Sequence, residues 1–600
     1  MRKFLLPAAA AVTALGMTGC IDNGYDLSDI DTTTELKFND LTLPVNMDPV
    51  TLSDIFQIDD DSKIKEVTLN GKTFYAVEQS GEFNSDPVEI GDFNLAPDRL
   101  SPGSAEFDFV SQSQRPKGKR VDVQIPTIHY DLSQPVLKPL EYTATDIDKS
   151  IHSVTAIGLR GAYLRINLIL TDPQNFDYVH LSNVSIMMPK GLRMTSISPS
   201  TATYNEASGE LFLKELDIND GQASILLNAD RADLAANGAD IDYPNHSLDF
   251  RSRFDLMKAQ CDIRPSANIA ASGTVPNLHF TINYDISDLS ATTFSGQVEY
   301  NLEGQGLHID PISINDLPDF LANEQTNLML YNPQIYLNIN NPVGANGLSY
   351  RSGLEIKAHH SDGTISPYTL DRFQVDHNDG VGPYNFVLSP EMPTNVPEEY
   401  KKGLSHVEFS SLGDILSGHG IPTTLDLRLV NPEIFLQSVT DFKLGTDLAA
   451  MKGDYRFLAP LALRGDSDSG SLIVYSDKVD GWNDEDVDAM TIQSLELTLD
   501  CVSTLPIGAT LSAYPIGVDG QRIECDVTPA VIKGANAEGP QPVKILIKAK
   551  EGSAGIQHLD GVTYEAVVRA DGSNQALAPD QTLTLTNIRA TVSGNWTKEF

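Results

Sequence analysis

Apolar residues in this chain recur at every second position. Leu164, Ile166, Leu168 and Leu170 alternate with Arg165, Asn167 and Ile169. Val543, Ile545, Ile547 and Ala549 alternate with Lys544, Leu546, Lys548 and Lys550, and Leu495, Leu497 and Leu499 with Glu496 and Thr498. Successive side chains of an extended strand point to opposite faces, so a period of two describes strands with one buried and one wet face. Turn chemistry agrees. Asn70-Gly71 lies between VTL and KTFYAV, and Asp519-Gly520 between YPIGV and QRIECDV. Both pairs predict two-residue type I′ hairpins, in which both central positions need positive φ. Helical periodicity is confined to short stretches such as 229–239, while 43 Gly and 34 Pro punctuate the chain throughout. The expected fold class is all-β: tandem β-sandwich domains with short connecting helices.

An internal repeat supports tandem units. The kernel Leu-x-Asp-[Ile/Phe]-[Phe/Leu] begins at Leu52, Leu317 and Leu412. After two of these come similar strands, LMLYNPQIYL from Leu328 and LRLVNPEIFL from Leu427, with Asn-Pro at 332 and 431. The spacing of 99 residues is similar to one immunoglobulin-like sandwich of ~100 residues. Proline removes a ladder donor, so Pro333 and Pro432 belong at an edge or a bulge. The segment 330–343, LYNPQIYLNINNPV, resembles the bent strand of the water-stress-type, LEA14-like sandwich; that likeness implies a fold and no activity. The expected divisions are 1–19, 20–45, 46–150, 151–290, 291–400 (first repeat unit), 401–490 (second repeat unit) and 491–600.

The first stretch, MRKFLLPAAAAVTALGMTGC, has a cationic start, an uncharged apolar run and small residues before Cys20. These are the marks of a secretory signal. The apolar run is shorter than the roughly 20 residues of a membrane span. Met17-Thr18-Gly19-Cys20 resembles the bacterial lipobox, with Met where Leu is usual. The resemblance implies cleavage before Cys20 and acylation of that residue, which anchors the protein when two or more chains are attached. The acidic leader that follows, with Asp22, Asp26, Asp29, Asp31 and Glu35, is similar to the post-cysteine segments of surface-exported outer-membrane lipoproteins of the Bacteroidota. That likeness implies the cell surface as location, with the periplasmic face as the alternative.

Charge narrows the partners. Lys+Arg is 42 and Asp+Glu 82, a formal net charge of −40. Such a field repels phosphate backbones and excludes nucleic acid as a partner. Beyond Cys20 there are three cysteines. Cys501 and Cys525 flank a hairpin-like segment and either pair as a disulfide or stay as two buried thiols; Cys261 is expected to be a lone buried thiol.

Candidate chemistry is sparse. Asp466 and Asp468, with Asp477, give part of an EF-hand pattern, but Ser471 replaces the turn glycine and no helices flank it. Asp480, Asn483, Asp484, Asp486 and Asp488 form a denser group suited to Ca²⁺ outside an EF-hand. With 82 acidic residues, such groupings arise by composition, so the expected cofactor is none and Ca²⁺ the only candidate. His359, His360 and His377 lie near Asp362, Asp376 and Asp379, yet adjacent strand residues face opposite ways, so His359 and His360 do not share one metal. The basic run Arg115 to Arg120 reads as a solvated loop. Trp482, on the acidic connector, either packs at a junction or stacks on a sugar. No HExxH, G-x-S-x-G or P-loop occurs, so no catalytic residue is assigned.

The expected function is therefore a membrane-anchored, non-enzymatic lipoprotein that binds a glycan or protein ligand or serves as a structural or adhesion module. The alternatives are a periplasm-facing assembly or scaffold component, and a polysaccharide-degrading hydrolase whose carboxylate pair is distant in sequence.

Overall fold

The computed structural model describes residues 33–45, 50–51, 63–85, 88–89, 103–111, 127–144, 147–237, 240–242, 247–272, 277–287, 290–301, 309–314, 321, 325–445, 447–448, 450–465, 471–535 and 539–599. Nearly all of these residues lie in strands or the turns between them. Helix among them is limited to Ala267–Ser272, Glu485–Asp488 and a few 3-10 turns. The chain is all-β, as its alternation requires.

The strand Ile151–Leu170 shows how the alternation becomes a core. It runs for 20 residues. Ile166, Leu168 and Leu170 are buried, while Arg165 and Ile169 face solvent. They enclose a core with Val179, Leu181, Ile225, Phe254, Ile263 and Phe280. Phe280 is fully buried and stacks on Phe107 at 5.4 Å and 9°; burying such a ring contributes about 1.5–3 kcal/mol. The other half of the same strand enters a second core, where Ile151, Val154 and Ile157 meet Phe294, Tyr350 and Phe457. One strand therefore joins two cores. A further pair of cores in the C-terminal part contains Leu499, Cys501, Val543 and Ile588, and Met490, Ile492 and Ile547.

Pairing partners are far apart in sequence. Thr424–Lys443 pairs with Ser290–Asn301 and with Tyr350–His359. Gln334–Ile339 lies between Tyr384–Ser389 and Lys452–Pro460, and the latter also pairs with Lys72–Asn84. Thr582–Glu599 lies between Thr33–Val45 and Met490–Ser503. Hydrogen bonding thus crosses the positions near 290, 400 and 490 at which the sequence suggests divisions.

Local features divide between expectation and correction. Asn70 and Gly71 have φ of 51° and 78° and join Leu69 to Lys72 in a two-residue turn, as the type I′ reading requires. At 519–520 only Gly520 has positive φ, 71°. Its N–H donates to the Gly517 carbonyl at 2.8 Å, and Gly517 N–H donates to the Gln521 carbonyl at 2.9 Å. The loop is three residues long and closed by a left-handed glycine, a different hairpin class. In the stretch expected to be helical, 229–239, the described residues 229–237 instead complete the strand Gln222–Asp233 and follow it with the 3-10 turn Ala235–Asn237. Pairing against Ile151–Leu170 outweighs the helix propensity of its alanines. In the second repeat copy Asn431, with φ 50°, and Pro432 form a bulge between Val430 and Glu433. In the first copy Asn332-Pro333 stands just outside the strand Gln334–Ile339. The kernel at Leu412 begins in the 3-10 turn Ser410–Asp414; the one at Leu52, and all of the one at Leu317 except the buried Leu321, lie outside the described residues.

Candidate functional site

Four adjacent strands build a polar row on the outer face of the sheet. They are Ile128–Leu132, Ser247–Pro265, Phe176–Met187 and Glu210–Asp217, and their register aligns His129, Asp262, His180 and Asp217 side by side. The residues between them in each strand, Tyr130, Cys261, Leu181 and Leu216, are buried, so alternation sends the titratable side chains outward. Neighbouring strands stand about 4.8 Å apart, which gives the row a width of about 14 Å. His129 bonds to Asp262. His180 Nδ1 lies 2.6 Å from an Asp217 carboxylate oxygen. A histidine therefore stands opposite a carboxylate at every step of the row. One step further along, Gln260 donates to Asp131 at 3.1 Å and Asn183 donates to Gln260 at 2.7 Å. Asn183, with φ 51°, marks a bulge between Ser182 and Ser185, which re-aims its side chain into this grid. On the other side Tyr178 lies nearly parallel to the His180 ring, centroids 5.9 Å apart and planes at 9°. Tyr178 is 42% exposed. Its phenol is held above its ordinary pKa by partial burial and by the neighbouring Asp217 and Asp262 carboxylates, so it stays a neutral ring with a hydroxyl.

His–carboxylate pairing alone does not mark a site here. Seven of the twelve histidines make such a pair among the described residues, as an acidic surface favours. The row is set apart by two such pairs in one register line with an exposed aromatic ring beside them.

A second group lies at one end of the hairpin Tyr350–His359 and Ile365–Val375. His359 points outward and bonds to Asp426 at 2.8 Å. His360 points the other way, is 4% exposed, and has Nε2 3.2 Å from the Ser366 hydroxyl. This opposition is what the sequence predicts for neighbours on a strand. Burial holds the His360 imidazole below its ordinary pKa, favouring the neutral ring. The loop 417–421 brings His419 to within 6.0 Å of it, ring centre to ring centre. His377 is elsewhere: it bonds to Ser349 at 2.8 Å, at the opposite end of the same hairpin. The separation is about 30 Å at 3.3 Å per residue, so Asp376 and Asp379 do not join His359 and His360.

The remaining sequence candidates fare unevenly. Cys20, Asp466, Asp468 and the basic run 115–120 lie outside the described residues. Asp484 caps the short helix Glu485–Asp488 by accepting from Val487 N–H at 2.8 Å. Asp488 is paired with His558 at 2.5 Å, and that bond holds its carboxyl below the usual range. Asp480 pairs with Lys478 at 2.8 Å. Asp486 is in the helix, its side chain not among those described. Among the described residues no group of three or more His, Cys, Asp or Glu side chains is placed to hold a metal ion. Trp482 is half-buried, and its backbone N–H donates to the Asp560 carbonyl at 2.8 Å.

Cys501 and Cys525 are separate thiols, which corrects the disulfide alternative. Their strands pair on opposite edges of Gln541–Ala549, Cys501 beside Gln541 and Cys525 beside Ala549. Eight positions along a strand are about 26 Å, and a disulfide needs Cα atoms within about 7 Å. Cys261 and Cys501 are fully buried and Cys525 is half-exposed. Burial raises all three thiol pKa values. An aromatic disulfide reagent should therefore label Cys525 alone, slowly, in the native protein, and all three only after denaturation. Rapid native labelling of Cys261 or Cys501 would contradict this packing.

Comparison with known proteins adds little. No family model matches the chain, and no curated protein matches it. A crystal structure described as a "putative secreted protein" from Parabacteroides distasonis is similar over 50% of this chain and 89% of its own, at 15% identity and a TM-score of 0.35. A likeness at that level carries no argument about fold or function. No helix among the described residues is long and apolar enough to cross a membrane.

Proposed function

We propose that this chain is a lipid-anchored envelope protein that binds a glycan on its outer sheet face and performs no chemistry on it. The observation that supports this reading is Tyr178 beside the His129–Asp262–His180–Asp217 row. A sugar presents an apolar C–H face and a rim of hydroxyls. An exposed aromatic ring suits the first; a line of planar donors and acceptors, fixed by sheet register, suits the second. The lipobox-like ending at Cys20 supplies the anchor.

Two measurements on one strain test the proposal. Proteinase treatment of intact cells should remove the wild-type protein, and a Cys20→Ala variant should be lost from the membrane fraction. Full protection from the proteinase places the binding face in the periplasm instead. On a glycan array, Tyr178→Ala should weaken binding about fivefold or more, taking as guide the ~1–3 kcal/mol that an aromatic contributes by stacking on a planar base. A glycan bound equally by wild type and Tyr178→Ala would defeat the assignment of this face. Turnover of a bound glycan would defeat the non-catalytic reading.

A further inference from the structure

The C-terminal sheet ends in a strand with a free edge. Thr33–Val45 pairs on one side with Thr582–Glu599, and among the described residues no strand pairs with its other side. The unpaired N–H and C=O groups of such an edge are a template for a further strand. The register runs without a shift from Thr33 to Phe38 and slips between Phe38 and Leu41, and Pro44 has no N–H to donate. The regular part of the edge is therefore its first half, Thr33 to Phe38.

The two faces of this half differ. Met490 stands opposite Trp596, and Trp596 opposite Leu36, so the three share one face of the sheet. Met490 is buried, Trp596 is half-buried against the core, and Leu36 is 53% exposed. An apolar row thus starts in the core and runs out uncovered at the edge. A next strand with an apolar residue opposite Leu36 would continue it. On the other face Glu35 and Lys37 are both exposed and lie 3.7 Å apart.

We propose that the strand which completes this edge is Thr33–Phe38 of a second copy of the chain, paired antiparallel about a two-fold axis through Leu36. In such a contact each residue meets the one equally far on the other side of the axis. Leu36 then faces Leu36 of the second copy and extends the apolar row. Glu35 faces Lys37 of the second copy, and the symmetry repeats that pair. Apolar and opposite-charge residues set directly across from each other are the ones that stabilise a ladder. Thr34 faces Phe38, so the contact stays within the regular run. This self-complementarity is not general to free edges. Ile64–Leu69 pairs only with Lys72–Asn84 among the described residues. Its Lys65 and Glu66 are adjacent and point to opposite faces, so no two-fold axis normal to the sheet sets one against the other. The pairing depends on neither the proposed anchor nor the glycan face.

Cysteine cross-linking of the full chain in detergent tests the register. The variants are carried on a Cys525→Ser background, which removes the half-exposed thiol. Directly opposite residues have Cα atoms about 4.5–5.5 Å apart, inside the ~4.4–6.8 Å of a disulfide. Leu36→Cys should therefore form a disulfide-linked dimer under mild oxidation. Phe38→Cys alone should not, because its two copies would stand about 14 Å apart along the strands; mixed with Thr34→Cys it should. On the otherwise wild-type chain, Lys37→Glu sets like charges across both pairs. It should weaken the dimer about fourfold or more, read by sedimentation, and Glu35→Lys/Lys37→Glu should restore it. The side chains at 35–37 are exposed, so these changes leave the fold intact. No dimer from Leu36→Cys, or as much from Phe38→Cys alone as from Leu36→Cys, or association indifferent to Lys37→Glu, overturns the proposal.

Discussion

Removing residues 582–599 is expected to free the strand Thr33–Val45 and open the C-terminal sheet. Thr582–Glu599 is an inner strand of that sheet, bonded to Thr33–Val45 on one side and Met490–Ser503 on the other along nearly its whole length. It also contributes Ile588, Val592 and Trp596 to the two cores there. Ile588 is buried and Val592 and Trp596 are half-buried, so at about 1.5–3 kcal/mol per fully buried large apolar side chain their loss costs on the order of 4 kcal/mol before the lost pairing is counted, close to the entire net stability of a typical domain. The deletion should therefore abolish the C-terminal melting transition. It should also make the segment around 33–63 the first site of limited proteolysis. An unchanged cleavage pattern would mean that Thr33–Val45 is held by something other than this pairing. The consequence reaches the proposed anchor. Residues 21–32 can span at most about 43 Å, so under the proposed acylation of Cys20 the strand Thr33–Val45 would stay within about that distance of the membrane. The row at Tyr178 then belongs to a different core from the one tethered by that leash.

Gly296→Val is expected to destabilise the protein by about 3 kcal/mol, the upper end for overpacking. A Cβ at Gly296 would lie 1.8 Å from the Ser153 carbonyl oxygen and 2.7 Å from its carbon. Both are backbone atoms of Ile151–Leu170, the strand shared by two cores, so neither can swing aside. The effect should be read as a lower urea midpoint. Gly347→Ala is the control. It has φ 72° and nothing within 4 Å of its Cβ, so only the left-handed backbone is strained, at about 1–2 kcal/mol. Equal midpoint shifts for the two variants would contradict close approach as the reason for glycine at 296.

Part of this was legible in the sequence because its cause is local. Alternation in Ile151–Leu170 and Gln541–Ala549 follows from the geometry of one strand, and it fixed the fold class and which side chains turn inward. Asn70-Gly71 fixed its turn because both residues tolerate positive φ. Asp519-Gly520 misled, because the same dipeptide serves a longer loop when its flanking strands meet one residue apart. The opposition of His359 and His360 was readable for the same local reason as the alternation.

The candidate sites were not readable in that way. His129, His180, Asp217 and Asp262 come from four segments, and each is only an outward residue on its own strand. His419 lies almost sixty residues beyond His360, and only the fold brings the two rings to 6.0 Å. The separation of Cys501 from Cys525 by the length of a strand is likewise a matter of register. Sequence by itself determined the acidic composition and the all-β class, since these depend on residue counts and on neighbours a few residues away. Tertiary structure alone decided that Thr33–Val45 closes on Thr582–Glu599, that one strand serves two cores, and which titratable side chains meet. Strand pairing is non-local: a strand's pattern says which face is buried, and only its register against a partner says what stands beside it.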